Sequence, residues 1–214
     1  MLHRVAEKIT LFYIKKNKVE QCEKEIYDYC FEILLSTVVN LIAIIIMAVL
    51  TRLYIETLCF VICFMSLRGA AGGFHAKTHL GCFIGLLIVY SALPISYLLI
   101  NVYILRYISL SFIVLGSILI FIFAPVDNIN NSLDAEMKKK LRLKSVIYTI
   151  LAVVAYCGLI AFSKTIRYAY AISYVVLIVA LSLGAGVLKN RWQKRRTKCN
   201  IVEYLEQNVK ITDI

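Results

Sequence analysis

Between residues 68 and 82 the chain reads RGAAGGFHAKTHLGC, which places two of its three histidines, His75 and His79, within seven residues of Cys82. An imidazole and a thiol are the base and nucleophile of covalent attack on a carbonyl, and a neighbouring imidazole or a helix amino terminus favours the reactive thiolate. Spacing decides whether the two can meet. On one uninterrupted helix, residues seven apart share a face but stand about 10.5 Å apart along the axis, whereas proton transfer needs heavy atoms within about 3 Å. A His75–Cys82 dyad therefore demands a broken helix. Gly72 and Gly73 before the histidine and Gly81 before the cysteine supply the breakers. Gly72 and Gly73 would also let free backbone amides approach a substrate carbonyl, as in an oxyanion hole.

A metal centre is the competing reading of the same residues. His75, His79 and Cys82 follow H-x3-H-x2-C, a spacing that can present three ligands along one helical face. No H-E-x-x-H glutamate and no obvious fourth ligand accompanies them, so neither a metal nor another cofactor is expected. His79 otherwise reads as an interfacial residue. The remaining cysteines offer no second site. Cys59, Cys63 and Cys157 sit in apolar runs, where cysteine behaves as a small buried hydrophobe, while Cys22, Cys30 and Cys199 have no catalytic neighbours. Seven cysteines without secretory context do not form a disulfide framework.

The elements that must position these groups are membrane spans. Of 214 residues 61% are hydrophobic and 17% charged, and the mean hydropathy is +0.79, which excludes an ordinary soluble domain. Apolar runs fall near 33–50, 53–67, 80–100, 104–123, 146–162 and 168–188. A span needs roughly 17–25 helical residues, so five runs are comfortable and the second is marginal. That second run reaches spanning length only by continuing through Arg68 into GAAGGF; otherwise it is a short helix handing over to an irregular segment. The charged amino-terminal stretch, with Arg4, Glu7, Lys8, Lys15, Lys16 and Lys18, does not read as a cleavable signal.

With the amino terminus inside, the inner segments carry 20 of the 24 Lys and Arg residues, and Arg52, Arg106, Lys164 and Arg167 fall outside. This asymmetry satisfies the positive-inside rule only for six spans, with both termini and segment 68–82 facing the cytoplasm. The fold expected is an all-α polytopic membrane protein. Residues 1–32 form a cytoplasmic or interfacial amphipathic segment, 33–188 the bundle with a basic inner loop at 125–145, and 189–214 a basic tail. In the first segment Val5, Ile9 and Phe12, then Val19, Cys22, Ile26, Cys30 and Ile33, have helical spacing suited to the membrane surface or to packing on the bundle. The net charge of +11 arises from basic runs abutting spans, which set topology and attract anionic membrane lipids rather than nucleic acid.

Other polar residues take supporting roles. Arg68 lies near membrane depth, where an ion costs about 2.5–3.5 kcal/mol on insertion scales, so it either holds a substrate group or snorkels to the headgroups. Asp127 falls on the same membrane side as His75 and could orient the imidazole, or serve as a turn residue beside Pro125. Lys138, Lys139 and Lys140 could pair with acidic residues of a peptide substrate.

GGFHAKTHLGC, followed by APVDNINN and a lysine-rich segment in a chain of about 200 residues with several spans, resembles the accessory gene regulator B (AgrB) family. The resemblance covers nearly the whole chain. It implies a quorum-sensing endopeptidase of the bacterial cell membrane, with His75 and Cys82 catalytic, acting on a small AgrD-type propeptide. Its members remove the propeptide's carboxy-terminal tail and pass the acyl group to a side chain of the peptide, giving a thiolactone or lactone ring. A homodimer is compatible with so small a bundle. The rival classes are a small peptide transporter or exporter, which would show mid-span charges and paired interrupted helices, and a structural subunit, which would not need the clustered His, Cys and Gly residues.

Overall fold

A computed structural model describes the backbone of residues 2–16, 20–72, 79–126 and 134–212, with all side chains in these ranges except those of residues 2, 79, 193, 194 and 197–212. Among the described residues seven α-helices follow in order: α1 (Leu2–Lys15), α2 (Lys24–Thr51), α3 (Tyr54–Ala71), α4 (His79–Leu99), α5 (Val102–Phe123), α6 (Ala135–Ile160) and α7 (Ile166–Thr212). No strand occurs among the described residues. Each helix from α2 to α7 is long and apolar enough to cross a membrane, so the chain is a multi-pass, all-α membrane protein. Helices suit this setting because they satisfy their backbone hydrogen bonds internally.

The helix ends follow local chemistry. Asn101 caps α5 by accepting the Tyr103 N–H at 3.1 Å, and α2 closes on Arg52 in the left-handed region at φ 56°. The marginal second run takes the longer of its two alternatives: α3 is 18 residues long and continues through Arg68 to Ala71. The second amphipathic stretch is continuous with the first span. It leads through a short 3-10 turn at Gln21–Glu23 into α2. The expected basic loop is shorter than 125–145, because α6 begins at Ala135 and takes Lys138–Lys140 into its opening turns. Ala135, Glu136, Met137 and Leu141 are strong helix formers, and Glu136 pairs with Lys140 at 2.7 Å one turn on.

The chain divides into two compact units. The first comprises Met1–Tyr54 and Ala76–Ile95. Within it α1 lies on α2, joined by Glu7 to Lys24 at 3.1 Å and by His3 to Glu32 at 3.3 Å. The residues α1 buries are Ala6 and Thr10, whereas Val5 and Phe12 are exposed. The small face packs and the large apolar one stays outward.

The second unit comprises Ile55–His75 and Ser96–Ile214. Its centre is α7, where Ala169, Ala171, Val175, Val179, Ala180 and Leu183 are buried. Helix α5 packs closely on α7 at Gly116, where an added Cβ would stand 2.9 Å from the Leu177 nitrogen and 3.0 Å from its Cα. Close backbone approach over small residues is how helices associate where lipid removes the hydrophobic drive. Ser109 and Tyr156 share a buried hydrogen bond of 3.0 Å between α5 and α6. At one end of this unit Tyr97 donates to the Arg167 carbonyl at 2.8 Å, and Arg106 donates to the Ile160 carbonyl at 3.3 Å. These two arginines are among the four cations expected outside.

Candidate functional site

Cys82 is the fourth residue of α4 and is exposed. His79 is the first residue of the same helix, three positions before the cysteine. The chain break demanded by the seven-residue spacing lies before them: α3 ends at Ala71, and Gly72 adopts φ 73°, a left-handed conformation open to glycine at no steric cost. His75, Gly73 and Asp127 lie outside the described residues.

Gly72 is held in place from two directions. Its N–H donates to the Arg68 carbonyl at 3.1 Å, completing the last turn of α3. The Val126 N–H donates to the Ala71 carbonyl at 3.1 Å, and Gly72 pairs with Val126 in an isolated parallel bridge. A Cβ at Gly72 would stand 2.8 Å from the Val126 carbonyl oxygen. Glycine is therefore required here for its backbone angle and for the approach of a second chain segment. The close approach is to Val126, and the Gly72 amide expected to face a substrate is engaged with Arg68.

This bridge joins the glycine at the end of α3 to the A-P-V stretch that precedes Asp127. In sequence Asp127 follows Val126 directly and His75 is three residues beyond Gly72. No local pattern announced the pairing. Its one trace in the sequence is the paired glycine, which reads equally as a helix breaker.

Arg68 meets neither of its expected roles alone. Its Nη1 donates to Ser182 Oγ of α7 at 2.7 Å, and that hydroxyl in turn donates to the Val179 carbonyl at 2.8 Å. An ionised donor at membrane depth thus has a neutral partner on a neighbouring span. Lys138 and Lys139 turn toward the end of α5, whereas Lys140 turns to Glu136. Cys22, Cys30, Cys59, Cys63, Cys82 and Cys157 are all unbridged. Cys157 is exposed on α6 rather than buried, and Cys59 and Cys63 are half-buried. Among the described residues no three His, Cys, Asp or Glu side chains gather as a metal site.

Comparison with known proteins places these features in a family. The model of the accessory gene regulator B family matches residues 6–183. A protein of Clostridium perfringens strain SM101 described as AgrB-like is 31% identical over 135 residues, covering 61% of this chain and 63% of that relative. A second AgrB-like protein, from strain 13 of the same species, is 30% identical over 135 residues with the same coverage. The aligned region thus spans less than two thirds of either relative. No solved structure matches the chain. The family match runs from α1 into α7 through Gly72, Cys82 and Val126, and the chain belongs to the accessory gene regulator B family.

Proposed function

We propose that this protein is a cysteine endopeptidase that trims a small AgrD-type propeptide, with Cys82 as nucleophile and His75 as its base. The observation that carries the reading is the placement of Cys82, exposed in the first turn of α4, on a helix separate from the one that ends at Ala71 before Gly72. A continuous helix would have kept base and nucleophile about 10.5 Å apart along its axis. Family membership supplies the substrate class.

In this mechanism His75 accepts the Cys82 proton and the thiolate adds to the scissile carbonyl. Protonated His75 then gives that proton to the departing amine, the carbon–nitrogen bond breaks, and a thioester remains on Cys82. A side-chain thiol or hydroxyl of the propeptide attacks the thioester, releases Cys82 and closes the ring. With a thiol, one thioester replaces another and the exchange is nearly balanced, so net product depends on removal of the tail or ring and on exclusion of water from the acyl enzyme. Asp127, next in sequence to Val126, is the residue we assign to orienting His75. The 20-to-4 division of cations supports a reaction on the cytoplasmic side.

Co-expression with an AgrD-type propeptide tests this reading. Cys82→Ser and His75→Ala should each cut tail removal by about 1,000-fold, while Cys157→Ser, on the outer surface of α6, should process normally. Normal cleavage by Cys82→Ser sinks the proposal.

A further inference from the structure

Arg68 and Ser182 are far apart in sequence, yet Nη1 of the guanidinium donates to the serine hydroxyl at 2.7 Å. A serine hydroxyl has one proton and two lone pairs. The Ser182 proton is committed to the Val179 carbonyl at 2.8 Å, one turn back on α7, so this residue presents to α3 a lone pair of fixed direction. Ser109 of α5 does the same: it donates to the Arg106 carbonyl at 2.8 Å and meets the Tyr156 hydroxyl at 3.0 Å. That second pair is neutral. Ser182 instead receives an ionised donor, and charge-assisted bonds are the stronger kind. Val179 and Leu183, on either side of Ser182, are fully buried, so Arg68 is fastened at a buried face of the helix at the centre of its unit.

Arg68 is also the residue whose carbonyl accepts the Gly72 N–H, while the Ala71 carbonyl accepts from Val126. Ser182, Arg68, Gly72 and Val126 all belong to the second compact unit. An unbroken series of bonds thus runs from α7, through the side chain and backbone of Arg68, to the turn at Gly72. From there the chain reaches His75 in three residues, which span at most about 11 Å, so a displacement at the end of α3 has little chain in which to dissipate. We propose that Ser182 is a positioning residue of the peptidase, holding Arg68 so that α3 ends, and the chain departs at Gly72, in the geometry that catalysis needs. This rests on the cysteine endopeptidase reading above. A misplacement of about 1 Å far from the chemistry can slow a reaction about 100-fold, so the loss of this hydroxyl shows in the rate of tail removal.

The full chain in lipid vesicles, given a synthetic AgrD-type propeptide that the unaltered protein cleaves, tests this through kcat and KM for tail removal. Ser182→Ala should lower kcat about tenfold and leave KM within about twofold. Ser182→Thr, which keeps the hydroxyl, should bring kcat back to within about twofold. Ser173→Ala is the matched control: it removes the same kind of bond from α7, Ser173 to the Tyr170 carbonyl at 2.9 Å, about two and a half turns away, and should keep kcat within about twofold. Arg68→Ala should lower kcat at least as far as Ser182→Ala, and the double variant should be no slower than Arg68→Ala alone, because Ser182 acts through Arg68. The proposal is overturned if the two losses add, if threonine fails to rescue, if Ser173→Ala is equally slow, or if Ser182→Ala raises KM at unchanged kcat. Cys82→Ser, assayed in parallel, separates this from the reading beneath it. If that variant still cleaves, both fall; if it is inactive while Ser182→Ala is unimpaired, the positioning role alone falls.

Discussion

Helices α2 and α7 are both long apolar spans, yet 17% of the most apolar stretch of α2 is buried against 56% for α7. Their side chains explain the difference. Helix α2 carries Val38, Val39, Ile42, Ile45, Ile46, Val49 and Leu50 on exposed surface and buries only Ile44 and Ala48, one turn apart. Helix α7 alternates bulk with Ala169, Ala171, Ser173 and Ala180, all buried, and offers its backbone to Gly116 of α5. Hydropathy determines that a helix enters the bilayer. Small residues and hydroxyls determine which helix becomes the centre of its own unit, because lipid tails solvate isoleucine as well as protein does.

Substitutions can break this comparison, and unfolding in mixed micelles with rising denaturing detergent measures each of them. Gly116→Leu should cost most, about 3 kcal/mol, because the new side chain meets the Leu177 backbone rather than a movable side chain. Leu183→Ala, at a fully buried position of α7, should cost about 2 kcal/mol through lost packing, while Ile46→Ala on the exposed face of α2 should cost less than about 0.5 kcal/mol. Equal costs at Leu183 and Ile46 would show that burial does not distinguish the two spans. Between these values falls Ser182→Ala, which removes the hydroxyl that accepts from Arg68 and should cost about 0.6–1 kcal/mol.

The sequence revealed what is local. Six spans follow from runs of apolar residues, and the end of α3 follows from Gly72, because both depend on a few consecutive side chains. The start of α6 was less visible: Lys138, Lys139 and Lys140 read as a loop by charge, but the neighbouring Ala135, Glu136, Met137 and Leu141 make them helix. The contacts that build the site are nonlocal. Ser182 lies 114 residues from Arg68, and Val126 lies 55 residues from Ala71, so no window along the chain contains both partners. The face of α1 that packs was also misleading, since Ala6 and Thr10 are buried while the larger Val5 and Phe12 are exposed; helical periodicity marks an apolar face without saying whether protein or lipid will cover it.

The bond from Val126 to the Ala71 carbonyl also sets an order of assembly. A ribosome adding about 5–20 residues per second needs roughly 3–11 s to pass from one partner to the other, during which α4 and α5 must be made and inserted. Until then the Ala71 carbonyl lacks its Val126 partner. The peptidase proposed here would therefore acquire its tether only when the fourth of its six spans is in the bilayer, which delays assembly of a reactive thiol site until more than half of the chain that surrounds it exists.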